Sequence, residues 1–167
     1  MDLRWSLSRI AGRGRQSERE SHMPFKNLTQ EEAYTKVGAY LSMMFGASNI
    51  TRESENGYSF MYGSAKITIT VYPWKKDNAL VDILSFVVTG TTRSPELMAY
   101  LLEINTRLTF GSISLNDKNS VLLHHALVGK TFDRTELEAA VQEIARIADD
   151  YDDEIVARFG GKRAEDK

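Results

Sequence analysis

Three histidines are the side chains best suited to acid–base or metal chemistry, and two of them, His124 and His125, are adjacent in a segment that alternates like a strand. Neighbouring strand residues point to opposite faces, so this pair does not converge on one metal or one substrate. The expectation is a structural pair, one ring buried and hydrogen-bonded and the other exposed; His22 stands apart near the N-terminus. The densest carboxylate run is Asp149, Asp150, Asp152, Asp153 and Glu154, and hard cations such as calcium take oxygen ligands of this kind. On a helix, however, 149/153 and 150/154 are like charges four apart, and no glycine supplies the sharp turn of a calcium loop. From Asp133 to Glu154 there are nine acids and two bases, so the expectation is a solvated acidic face able to meet a basic partner. There is no cysteine, which excludes disulfides and thiolate metal sites. Neither a glycine-rich phosphate loop nor a nucleophile elbow is present, and no two groups stand out as acid and base. The residues point away from an enzyme, with no metal and no cofactor expected.

The more suggestive chemistry is apolar. Between Ala79 and Thr89, Val81, Ile83 and Val87 fall on one strand face, while Leu80, Leu84, Phe86 and Val88 fall on the other. Between Ser120 and Val128 the same holds for Val121, Leu123 and Leu127 against Leu122, Ala126 and Val128. A sheet covered by helices on one side ordinarily presents polar residues on the other, and this second face is too apolar for that. Either helices cover both faces, or part of the sheet is kept for another protein chain, by dimerisation or by docking a segment. Tyr58, Phe60 and Tyr62 share one strand face, with Tyr72 and Trp74 near its rim, and aromatics are favoured interface anchors. The candidate partner-binding set is therefore Tyr58, Tyr62, Tyr72, Trp74, Leu84 and Phe86. An alternative reading is a small-ligand sensor closing through Tyr58, Tyr72 and Arg93.

These residues must be positioned by elements whose signals are legible. Thr29 and Glu32 have capping-box spacing, followed by Ala33, Val37, Tyr40, Leu41, Met44 and Phe45 at helical steps, with Gly46 as the stop. The period then becomes 2. One strand region starts at Ile50 and carries a turn or bulge at Asn56-Gly57; Gly63-Ser64 turns into a second strand, Ala65 to Tyr72, ended by Pro73; a third runs from Ala79 to about Thr89. Ser94-Pro95 opens a second helix with Leu97, Met98, Leu101, Leu102 and Ile104 on its buried side. Two further strands, Ser112 to Leu115 and Ser120 to Val128, are joined through Asn116-Asp117-Lys118-Asn119. Asp133 and Glu136 then cap a long closing helix that runs to Gly160-Gly161.

A chain of 167 residues fits one domain, here read as 23–161, with 1–22 as an unstructured N-terminal extension and 162–167 as a charged tail. Residues 1–22 hold five Arg against three acids, which leaves 16 bases and 20 acids in the rest. That body repels phosphate backbones, so no nucleic acid is expected. No apolar run reaches the ~20 residues of a membrane span, and no secretory signal core is present, so neither a membrane nor an oxidising compartment is expected and the cytoplasm is the default.

The order helix, three strands, helix, two strands, helix resembles the fold of type III secretion chaperones and of YbjN-type domains, described as sensory transduction regulators. The sequence is similar to the second group in Leu101-Leu102-Glu103-Ile104-Asn105-Thr106-Arg107-Leu108, Gly111 to Leu115, Val121-Leu122-Leu123 and Ala145 to Asp152, across about Gln30 to Phe159. The resemblance implies an α+β fold of order α-β-β-β-α-β-β-α, with helices packed on an antiparallel sheet. The chaperones of this fold are small acidic homodimers that hold partner segments. A non-enzymatic protein-interaction domain, dimeric or holding a partner segment through apolar sheet surface and helix two, is the expected function.

Overall fold

The computed structural model describes residues 25–166, in which three α-helices pack with a six-stranded antiparallel sheet. Helix α1 spans Leu28–Phe45. Its cap is not the Thr29–Glu32 box expected from spacing but Asn27, whose side chain accepts from the Gln30 N–H at 2.8 Å. The Thr29 hydroxyl is engaged elsewhere, donating to the Asp77 carbonyl at 3.0 Å, which ties the start of α1 to a sheet turn. Gly46 ends the helix at φ 82°, with its N–H on the Ser42 carbonyl.

The first strand region folds back on itself, giving six strands where periodicity gave five: β1 (Thr51–Ser54) and β2 (Gly57–Tyr62). Asn56 anchors the reversal to the next strand, its carbonyl accepting from the Val71 N–H at 2.8 Å and its amide donating to the Val71 carbonyl. Strand β3 (Ala65–Trp74) continues past Pro73 rather than ending there. Because β2 pairs with β3 only as far as Thr70, Pro73 lies where that side of β3 has no neighbouring strand, and its missing N–H leaves no ladder bond unmade. Strand β4 (Asn78–Val88) is followed by α2 (Pro95–Asn105), β5 (Ser112–Leu115), β6 (Val121–Val128) and α3 (Arg134–Phe159). The Ser94 cap with Pro95 in the first turn and the Asp133–Glu136 capping box both form as their spacing predicts.

The strand order is β1-β2-β3-β4-β6-β5. Helices α1 and α3 both lie on one face of this sheet, over β3, β4 and β6, while α2 sits beside β5. The covered face is the core: Ile67, Ile69 and Val71 of β3, Val81 and Ile83 of β4, and Val121 and Leu123 of β6 are fully buried against Val37 and Leu41 of α1 and Leu137, Val141 and Ile144 of α3. At ~25 cal/mol per Å² of apolar surface, this layer is the main stabilising contribution. One register shift, between Phe86 and Val88, alters the sequence reading. The extra residue in β4 turns Val88 inward, fully buried beside Val121, instead of leaving it on the face of Phe86.

Candidate functional site: the uncovered sheet face

Among the described residues no helix lies over the second face of the sheet, and its rows can be assembled from strand pairing. Tyr72 of β3 pairs with Leu80 of β4, and Leu80 with Val128 of β6. Asp82 pairs with Ala126, Leu84 with His124, and Phe86 with Leu122. Directly paired residues share a face, so Tyr72, Leu80, Leu84, Phe86, Leu122, Ala126 and Val128 form one apolar strip along β4 and β6. Phe86 is 41% exposed, Tyr72 48% and Val128 37%, values that no core residue approaches. Toward β2 the same face becomes polar through Thr68, Thr70 and Ser59. At that margin Lys66 pairs with Glu53 at 2.6 Å, and Glu53 also accepts from Ser59. Within the strip the charged residue is Asp82, held by a hydrogen bond from the His124 ring.

The six candidates from the sequence divide between the faces. Tyr72, Trp74, Leu84 and Phe86 lie on the uncovered one, Trp74 at its end beneath the Lys75 ammonium, 4.2 Å from the ring centroid. Tyr58 and Tyr62 lie on the covered face, opposite Ile69 and Ala65. Tyr58 is stacked on Tyr34 of α1 at 4.5 Å, and burial followed by the neighbouring Tyr34 hydroxyl raises its pKa. Tyr62 is 39% exposed at the edge, in a groove with Phe45, Phe110 and Arg146. The sensor trio is likewise not brought together: Tyr58 and Tyr72 are on opposite faces, and Arg93 is bound to Asn119 and the Asn116 carbonyl in the β5–β6 turn.

The histidines do point to opposite faces. It is the exposed ring, His124, that carries the hydrogen bond, whereas His125 is half-buried and packs edge-on against Phe110 at 5.6 Å. Burial, then the nearby His124, lowers the pKa of His125. The acidic run is not wholly a solvated face either. Asp152 is 1% exposed, and Asp149 accepts from the Ser64 N–H at 2.8 Å, so both clamp the β2–β3 turn onto α3. Among the described residues no cluster of His, Asp or Glu could hold a metal, and no helix is long and apolar enough to cross a membrane.

Sequence reasoning missed Leu80, Leu122, Ala126 and Val128 as site residues, although their alternation already placed them on the apolar second face. It also missed Asp82, whose significance comes only from its pairing with a residue 42 positions away. A smaller apolar area lies at the sheet edge. Met98 (42%) and Leu102 (68%) are exposed one turn apart on α2, above a groove of about 320 Å³ that Ile113 and Leu115 help to line.

Residues 31–167 match a family model described as T3SS (YopN, CesT) and YbjN peptide-binding chaperone 1, and the chain belongs to that family. The fold is shared with a chain in the solved structure titled "Crystal Structure of the ExsC-ExsE Complex", at 12% identity and a TM-score of 0.50, over 77% of this chain and 96% of that one. At that identity the likeness concerns the fold. No curated protein is significantly similar to the chain in sequence.

Proposed function

We propose that this protein is a non-enzymatic, cytoplasmic chaperone- or regulator-type domain that holds an apolar segment of another protein against the uncovered face of its sheet. The observation that carries the reading is the strip formed by Tyr72, Leu80, Leu84, Phe86, Leu122, Ala126 and Val128, which leaves large apolar side chains exposed on a face that no helix among the described residues covers. Membership of a peptide-binding chaperone family supports it. Burial of such side chains under a partner supplies a favourable term that water otherwise denies them. Self-association belongs to the same reading and is assigned to α2, where Met98 and Leu102 protrude, so that a dimer leaves the sheet face free.

The test uses a synthetic nonapeptide, acetyl-Val-Thr-Leu-Ser-Leu-Ser-Leu-Thr-Val-amide, whose odd residues present one apolar face when extended. The wild-type chain binds it, and Phe86→Asp or Tyr72→Asp weakens binding by ~10-fold or more, as expected for charge placed in an apolar contact. Stability changes by no more than about 1 kcal/mol, since both side chains are solvent-facing. Equal binding by wild type and both variants counts against the sheet face as the site.

A further inference from the structure

The strip is apolar except for Asp82 and its partner His124 near its middle. Asp82 stands on β4 between Leu80 and Leu84 on the same face, with Ala126 beside it on β6. Its side chain is 22% exposed, and among the described residues its one hydrogen-bond partner is the His124 ring, which engages Oδ1 and leaves Oδ2 free of any partner. Lys66, on the same face, is already paired with Glu53.

We infer that the segment held on this face carries a basic side chain, Arg or Lys, flanked by apolar residues, and that Asp82 is the residue selecting it. The inference rests on the peptide-holding reading above and names the chemistry of the partner. A wholly apolar segment laid over the strip strips water from Oδ2 of this carboxylate and gives no donor in return, and burying a charged group with part of its hydrogen bonding unmet is unfavourable. A cationic side chain at that point supplies the missing donor at Oδ2, and a guanidinium does so with directional hydrogen bonds. A second copy of this chain is the poorer occupant, because a two-fold contact through the strip sets a second Asp82 against the first.

The experiment compares the nonapeptide with three versions in which the central Leu is Arg, citrulline or Glu. Citrulline keeps the shape of Arg without its charge. Wild-type protein binds the Arg peptide about 10-fold more tightly than the citrulline peptide, and Glu weakens binding further. Asp82→Asn erases the Arg-to-citrulline difference, and Asp82→Lys reverses the order of the Arg and Glu peptides. Circular dichroism melts of both variants confirm that they are folded. Equal binding of the Arg and citrulline peptides, or a preference unchanged in Asp82→Asn, overturns the inference while leaving the peptide-holding reading intact. Failure of every peptide, the all-apolar one included, overturns that reading and the inference with it. A wild-type dimer that Asp82→Asn tightens and the peptides cannot enter shows the strip occupied by a second copy, which also overturns it.

Discussion

At the residue scale, the Ser64–Asp149–Asp152 contact is the most unusual chemistry among the described residues. The Ser64 hydroxyl lies 2.9 Å from Asp149 Oδ1 and close to Asp152 Oδ2, yet it has one proton to give. If Asp152 keeps its own proton it donates to Ser64 Oγ, which then donates to Asp149. Burial, the largest cause, raises the Asp152 pKa, with the Ser64 contact opposing it, and Oδ1 of Asp152 is buried without a partner. A carboxyl whose folded pKa is raised binds more protons folded than unfolded over the interval between the two values. Its contribution to stability is therefore greatest below the ordinary aspartate range and declines as pH rises through the folded value. Melting temperature followed from acid to neutral pH should fall less steeply in Asp152→Asn than in wild type; identical slopes contradict a protonated Asp152. Sequence could not reveal this, because the four-residue spacing of like charges describes a helix surface and says nothing of a turn 85 positions away that lands on it.

At the element scale, most helices and strands were legible because their signals are local. The Asp133–Glu136 box and Ser94-Pro95 work through neighbours three residues away, and both survive in the fold. Thr29 failed for the opposite reason: its hydroxyl is claimed by Asp77, 48 positions on, and the cap passes to Asn27. Asn105, one of the residues carrying the family resemblance, has an equally non-local role. Its amide donates to the Ile113 carbonyl at 3.0 Å and its oxygen accepts from the Ile113 N–H at 2.9 Å, so a side chain takes the place of a strand on the outer edge of β5. That occupied edge discourages strand addition at β5 and leaves the exposed side of α2 as the contact offered there. Light scattering at micromolar concentration should give twice the monomer mass for wild type and the monomer mass for Leu102→Asp, with the melting temperature of Leu102→Asp little changed because Leu102 is 68% exposed. A wild-type monomer, or a dimer indifferent to Leu102→Asp, contradicts assembly through α2.

At the scale of the whole molecule, alternation in β4 and β6 announced two apolar faces but could not say which would be covered. Two helices, α1 and α3, share one face, and among the described residues only the short α2 remains, which packs at the β5 edge. The other face is consequently open, and that asymmetry underlies the functional reading. It also sorts the aromatic candidates: Tyr58 serves the packing of α1, whereas Tyr72 and Phe86 face outward. The most direct measurement is a methyl-labelled NMR titration of the full chain with the Arg-centred nonapeptide. The account predicts shifts at the Leu80, Leu84, Leu122 and Val128 methyls, with Leu41, Leu97 and Leu137 unmoved. Shifts confined to Met98 and Leu102, or to the groove beside Tyr62, would contradict it.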